Sequence, residues 1–443
     1  MSKKEDFRSA QQPPVAAVGT PPGRSAVAVV RLSGKGCIDI AKKIFSPFPS
    51  KANELKHGTL HAEGFKDDAM CVYFSAPRSY TGEDMAEIHT HGGFFIAQAA
   101  VEACIAHGCR SAENGEFTKR AFLNGKLKLT EAEGVIEMID GESRRAVNNG
   151  YNTLKGKLNE RLLAIQDGLT DILASVEAAL DYPEEDLEVS AGEQAKEILA
   201  QTEKLLETAK TGKLIKNGID VVIVGDVNVG KSSLLNCLLG FDRAIVTDIA
   251  GTTRDTLSQS VLYRDVKFNF TDTAGLRETS DAVEKLGVER AEEAMKTADI
   301  ILLVFDAEKV NTKPFERICK CEKTIVVFNK TDKKEATEQS LAGIKVSALT
   351  GSNVEKLKEE IYKKTKINKT SANDILLTNN RHIDCLTRTA HALRRVAENA
   401  QHSTMDCVAA ELSEGLAALG EITGENTSEK VISRIFEKFC LGK

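Results

Sequence analysis

The chain has 443 residues, enough for about three domains of ordinary size. Its 65 acidic and 59 basic residues leave a net charge of −6. That excludes a globally basic nucleic-acid binder, so any RNA contact falls to local basic faces or a partner. Ten cysteines are scattered, and Cys319-Lys320-Cys321 lacks the two-residue gap of a zinc knuckle. With no signal peptide, lipidation motif or apolar run near twenty residues, the chain is expected in a cytoplasm, off the membrane and with reduced thiols.

The first dozen residues carry no apolar run and read as disordered. Residues 14–125 then alternate short β-branched runs (27–32, 71–74, 87–91) with amphipathic stretches such as 95–107, the pattern of an α+β domain. His89 and His91 alternate on one of these strands and read as polar-face or packing residues rather than metal ligands. From about Thr130 the period becomes helical. Leu154, Leu158, Leu162, Ile165, Leu169, Leu173 and Val176 predict an apolar stripe along one long helix, broken at Tyr182-Pro183. A second helix follows through Ile198, Leu205 and Leu206.

The run Asp220-Val221-Val222-Ile223-Val224 then meets Gly225-Asp226-Val227-Asn228-Val229-Gly230-Lys231-Ser232 and continues into Ser233-Leu234-Leu235. A strand, a GxxxxGKS loop and a helix start form a phosphate cradle. The glycines let backbone N–H groups wrap a polyphosphate, the lysine reaches the β/γ oxygens and the serine hydroxyl holds Mg2+. Two switch-like elements come next. Gly251-Thr252-Thr253-Arg254-Asp255 places Thr253 to complete Mg2+ coordination. Asp272-Thr273-Ala274-Gly275 is a DxxG in which Asp272 holds Mg2+ through water and the Gly275 N–H meets a γ-phosphate.

Another buried-strand run, Thr324-Ile325-Val326-Val327-Phe328, delivers Asn329-Lys330-Thr331-Asp332, followed by Val346-Ser347-Ala348-Leu349. A carboxylate in NKxD accepts from both N1–H and the exocyclic amine of guanine, a donor pair that adenine lacks. The nucleotide is therefore expected to be GTP. Helical periodicity returns at Ile383, Leu386, Leu393 and Val396, at Leu412, Leu416 and Leu419, and at Val431, Ile435 and Phe439.

Where Ras-type GTPases place a water-orienting Gln after DxxG, this chain has Leu276, so another group must orient the attacking water. Glu284 is the candidate. No arginine is presented as a finger, and a monovalent cation is the expected substitute, because Asn228 supplies an uncharged oxygen beside the phosphates.

The order GDVNVGKS, TDIAGTTRD, DTAGLRE and NKTD resembles the Era-related GTPases. The flanking Thr20-Pro21-Pro22-Gly23-Arg24, Tyr80-Thr81-Gly82-Glu83-Asp84, His91-Gly92-Gly93, Gly115-Glu116-Phe117-Thr118 and Phe439-Cys440-Leu441-Gly442-Lys443 narrow this to the tRNA-modification GTPases of the MnmE (TrmE) family. Departures are small: Val227 and Asn114 stand where the family usually has Pro, and Leu441 where it has Ile. The resemblance implies a multidomain α/β chain. It has an α+β N-terminal domain similar to folate-dependent aminomethyltransferases (1–125), a helical domain in two parts (126–213 and 372–443), and an inserted Ras-like P-loop GTPase domain (214–371).

It also implies GTP contacts through Asn228, Val229, Gly230, Lys231, Ser232, Ser233, Thr247, Asp248, Ile249, Ala250, Gly251, Thr252, Thr253, Asp272, Thr273, Ala274, Gly275, Asn329, Lys330, Thr331, Asp332, Ser347, Ala348 and Leu349. Mg2+ would be held by Ser232 and Thr253, and K+ by Asn228, Thr247, Ile249 and Thr252. A reduced folate (formyl- or methylene-tetrahydrofolate) would meet Arg31, Glu87, Lys126 and Lys443. Cys440 would matter to the modification chemistry, although as a residue on an amphipathic helix it reads equally as a half-buried small hydrophobe. The expected assembly is a homodimer working with tRNA and an FAD-containing MnmG (GidA)-like partner at C5 of the wobble uridine. A purely regulatory or ribosome-assembly GTPase stays open as the alternative. The latter predicts an RNA module, yet no GXXG loop stands in a basic context near the C-terminus.

Overall fold

A computed structural model describes residues 13–185, 190–240, 258–272, 294–333, 341–367 and 374–443. They fall into two compact units, one of residues 1–136, 153–199 and 385–443, the other of 137–152 and 200–384.

The first unit is built on a seven-stranded sheet of order β3-β4-β5-β6-β2-β1-β7. Its strands are β1 (Val15–Val18), β2 (Ser25–Ser33), β3 (Phe45–Ser46), β4 (Lys56–Ala62), β5 (Phe65–Phe74), β6 (Met85–Gly92) and β7 (Arg110–Ser111). All pairings are antiparallel except β1 with β7. Because side chains alternate along a strand, β2 buries Ala28, Val30 and Leu32 and turns Val29 and Arg31 to the other face. In β6, Ile88 and Thr90 are buried while Glu87 and His89 share the opposite face. The register sets Arg31 beside Glu87. Helices Cys37–Ile44 and Phe94–Ala106 cover the buried face, and Ala41, Ile44, Ala100 and Cys104 fill the core.

The helices correct one expectation. The stripe beginning at Leu154 lies on two helices, Arg144–Leu154 and Lys157–Asp181, because Gly156 adopts φ +82° between them. The left-handed conformation is cheap for glycine and ends the helix even though the apolar period runs on. The Lys157–Asp181 helix buries Leu158, Leu162, Ile165, Leu169, Ile172 and Val176 and packs along Met405–Thr423. Gly415 lets the two approach, with Leu169 within 3.5 Å of where its side chain would stand.

The second unit carries a six-stranded sheet of order β13-β12-β11-β8-β10-β9. Its strands are β8 (Ile219–Gly225), β9 (Ser258–Tyr263), β10 (Val266–Asp272), β11 (Ile300–Asp306), β12 (Thr324–Asn329) and β13 (Ile344–Lys345). Only the β9–β10 pair is antiparallel. The central strands are apolar throughout: every side chain of Ile300–Phe305 is buried, as a sheet covered on both faces requires. One core joins Ile223, Leu302 and Val327 to the helices Lys231–Gly240 and Val354–Lys364, and the other gathers Val222, Leu303 and Phe328. All parallel strands deliver their C-terminal ends to one edge, where ligands of open α/β sheets bind. Among the described residues no helix is long and apolar enough to cross a membrane.

Candidate functional site

The phosphate loop forms at the end of β8. A side chain at Gly225 would strike the Val304 carbonyl of β11, and one at Gly230 (φ +91°) would strike the Asn329 amide, so both positions exclude a Cβ. Lys231 opens the Lys231–Gly240 helix and is 7 % exposed, its ammonium folded back on the carbonyls of Gly225 (3.1 Å) and Asp226 (2.7 Å). Ser232 Oγ donates to Asp272 Oδ2 at 2.7 Å, which brings two of the expected Mg2+-associated oxygens together from different elements. This pair of hard oxygen donors suits that ion.

The NKxD loop closes on the same edge. Asn329 Nδ2 donates to the Val229 carbonyl (2.9 Å), while its Oδ1 accepts the Ala348 N–H (3.0 Å). Asp332 accepts a hydrogen bond from Ser347 Oγ. The Ser347 hydroxyl, then the local backbone and nearby lysines, hold the Asp332 carboxyl below the usual carboxylate range. A carboxylate at this position suits the paired donors of guanine. Val229 is buried, while Asn228, Ser233 and Leu349 are exposed, Leu349 at 85 %.

One participant in this loop escaped the sequence reading. Asp306, at the end of β11, takes the Lys330 ammonium on Oδ2 at 2.7 Å. A lone carboxylate at a strand end gives no local signal. Residues 247–253, Thr273, Ala274, Gly275, Leu276 and Glu284 lie outside the described residues.

The second cluster is in the other unit. Arg31 Nε donates to Glu87 Oε1 at 2.8 Å, and Arg31 Nη1 donates to the Gly442 carbonyl at 3.2 Å. The chain after Phe436 therefore lies against β2. It is held there by Phe122, Leu129, Phe436 and Phe439 in one apolar cluster and by the Gly115 N–H on the Cys440 carbonyl (3.4 Å). Burial first, then the Arg31 charge, pushes the Lys443 amine below its ordinary value, with Cys440 and Glu87 acting oppositely. His89 Nε2 stands 3.5 Å from Glu87 Oε2, an ion-pair distance, and is buried without a hydrogen bond. The His89 ring foremost, with Arg31 and against partial burial, holds the Glu87 carboxyl low.

Arg31, Glu87 and Lys443 thus come together. Lys126 sits apart on the Pro77 carbonyl (3.2 Å), its stem under Gly82. Cys440 departs from expectation: the last helix, Glu429–Phe436, ends before it, and its side chain is exposed on the following turn. His91 is paired with Asp67 at 2.7 Å.

The Tyr80–Asp84 motif is an anchored loop. Arg120, 7 % exposed, donates to Glu83 Oε2 (3.0 Å) and to Glu116 Oε1 (2.9 Å). Ser33 Oγ also donates to Glu83 Oε2 (2.9 Å), and Arg110 donates to Glu116 Oε2 (2.8 Å). Burial raises the Glu116 carboxyl, but Arg110 and then Arg120 more than offset it, so its folded value is depressed. The stabilisation is therefore present above the unfolded carboxylate range near pH 4 and lost as pH falls through the lower folded value. Glu116→Gln leaves the buried Arg120 with Glu83 as its remaining carboxylate and is expected to cost about 1–3 kcal/mol in denaturant unfolding. Part of the wild-type acid sensitivity should vanish with it; an unchanged midpoint would contradict this role.

Phosphate loop, DxxG strand and guanine-type loop on one sheet edge define a P-loop GTPase. A family model described as the MnmE helical domain matches residues 129–440, and one described as the GTP-binding protein TrmE N-terminus matches 14–126. The tRNA modification GTPase MnmE of Aquifex aeolicus is 42 % identical over 97 % of this chain and 99 % of its own length. That of Clostridioides difficile is 38 % identical over the same shares. A crystal structure of Aquifex aeolicus Era bound to GDP·AlF4− aligns with 39 % of this chain and 66 % of that one at 28 % identity, with a TM-score of 0.26. The chain belongs to the MnmE (TrmE) family of tRNA modification GTPases.

Proposed function

We propose that this chain hydrolyses GTP to drive modification of the wobble uridine of certain tRNAs at C5, adding an aminomethyl or carboxymethylaminomethyl group. A reduced folate supplies the one-carbon unit, and an FAD-containing MnmG-like partner shares the chemistry. The observation that carries the second half is the Cys440–Lys443 turn lying on the Arg31–Glu87 pair. A GTPase that is only a switch has no need of a cationic, half-buried cluster on a separate sheet.

The residues present fit a folate. The His89 nitrogen, 3.5 Å from Glu87 Oε2 and with no closer partner, places a polar atom for a ligand beside Glu87. The Glu87 carboxylate can accept from a pterin amide and amine, and Arg31, Lys443 and Lys126 can meet carboxylates. When bound, the folate supplies carbon at the formaldehyde or formate level of oxidation. The chain's own contribution would be to bind the folate through Arg31, Glu87, Lys126 and Lys443, with Cys440 on the turn that meets Arg31. In the other unit, Lys231 and the loop amides bind phosphates, and Ser232 with Thr253 holds Mg2+. Asn228 with Thr247, Ile249 and Thr252 holds K+, and Glu284 orients water. The active form is a homodimer in which two G domains meet.

Calorimetry on the full-length protein tests the folate half. A reduced folate should bind, and Lys126→Ala should weaken it. Gly442→Ala should weaken it by about tenfold, because φ is +82° there and a Cβ would strike the Val18 carbonyl, lifting the tail off β1. GTP turnover should stay intact in both variants. No folate binding to a protein with full GTPase activity would favour a plain switch.

A further inference from the structure

Lys330 is held in an unusual way. Its backbone is left-handed (φ +66°), a conformation that costs a non-glycine residue free energy and persists only where the surroundings fix it. Backbone bonds at Asn329 and Thr331 hold the loop on either side, and the far end of the Lys330 side chain ties it to two other loops. The ammonium donates to the Asn228 carbonyl at 2.5 Å and to Asp306 Oδ2 at 2.7 Å. The pair is largely shielded, the two side chains being 29 % and 16 % exposed, so its attraction is less screened than that of a surface pair.

Asp306 is itself pinned. Its Oδ1 accepts the Glu308 N–H at 3.1 Å, and its backbone stands opposite Asn329 in the β11–β12 register. The Ala307 N–H closes the arrangement on the Asn329 carbonyl at 2.9 Å. The other charges facing this carboxylate come from Lys333, which is itself paired with Glu308 at 2.7 Å. The loop after β11, the NKxD loop and the phosphate loop thus share one cation, Lys330, with Asp306 as its carboxylate.

We propose that Asp306 is a positioning residue for guanine-nucleotide binding: through Lys330 it locks the guanine-reading loop to the Asn228 carbonyl of the phosphate loop. Asp306 touches no nucleotide. It acts on the lysine of the guanine-reading loop and, through it, on the phosphate loop, so losing it loosens both halves of the site together. The inference rests on the reading of Asn329–Asp332 as the guanine site.

The test is the dissociation rate of a fluorescent GDP from the full-length protein, followed by displacement with excess GDP. The wild type is measured first; failure to bind would remove the guanine reading itself, separately from the role of Asp306. Asp306→Asn keeps the shape, removes the charge, and is expected to speed dissociation at least tenfold. Asp306→Glu, which restores the carboxylate, should fall within about threefold of wild type. Lys330→Met should also release GDP at least tenfold faster. The double variant should be no faster than Lys330→Met alone, because residues acting through one contact are not additive. Should the amide variant fold poorly, Asp306→Ser carries the same comparison. Wild-type release from Asp306→Asn, or effects that multiply in the double variant, would overturn the proposal. A merely structural carboxylate would give the multiplicative result.

Discussion

Asp332→Asn is expected to exchange the nucleotide preference of this protein. In the proposed guanine contact, the Asp332 carboxylate, which accepts from Ser347 Oγ, would offer its acceptor oxygens to the N1–H and exocyclic amine of the base. An amide keeps one acceptor and presents a donor where the guanine amine stands. A site built around such bonds rejects a mismatched partner by a factor on the order of 10⁴. GTP affinity should therefore fall steeply. Xanthosine triphosphate, whose O2 replaces the amine, should bind better to the variant than to wild type. Titration of both proteins with both nucleotides checks this, and unchanged GTP affinity would remove Asp332 as the reader of the base.

The other large effect concerns hydrolysis. With Leu276 where a glutamine would orient water, Glu284→Ala is expected to abolish turnover while GTP affinity stays nearly constant, since in the proposed role the carboxylate would meet only water. On the proposed cation site, the charge that an arginine finger would supply would fall to K+. The Asn228 carbonyl accepts from the cationic Lys330, so the side-chain amide is the better placed of its two neutral oxygens to meet a second cation. A finger is worth roughly 10³–10⁵ in rate, so turnover should be fast in K+ and slow in Na+. It should also rise with protein concentration if the cation cage completes only when two G domains meet. Equal rates in KCl and NaCl at matched ionic strength would contradict the cation, and a fully active Glu284→Ala would contradict the base.

What the sequence disclosed and what it hid divide along physical lines. The phosphate and guanine loops are legible because their chemistry is local: glycines at 225 and 230 serve backbone approach, and Asp332 follows Asn329 by three residues on one turn. The α+β character of the first unit is legible because strand alternation is a period-two pattern, as Ala28, Val30 and Leu32 illustrate. The helix break at Gly156 was hidden because Leu154 and Leu158 keep helical spacing across it. Cys440 seemed to continue the apolar period of Ile435 and Phe436, yet the helix stops at Phe436 and the chain turns to reach Gly115 and Arg31. Asp306 and Arg120 stayed hidden for the same reason. Each acts on a loop distant in sequence, Lys330 in one case and Glu83 in the other, and a single charged residue announces no partner.

Nucleoside mass spectrometry of tRNA from cells lacking this chain tests the central claim most directly. Wobble uridines modified at C5 should disappear from the affected tRNAs. They should return when the intact chain is supplied and stay absent when the Glu284→Ala variant is supplied instead. An unchanged nucleoside profile in the deleted cells would contradict the proposed function.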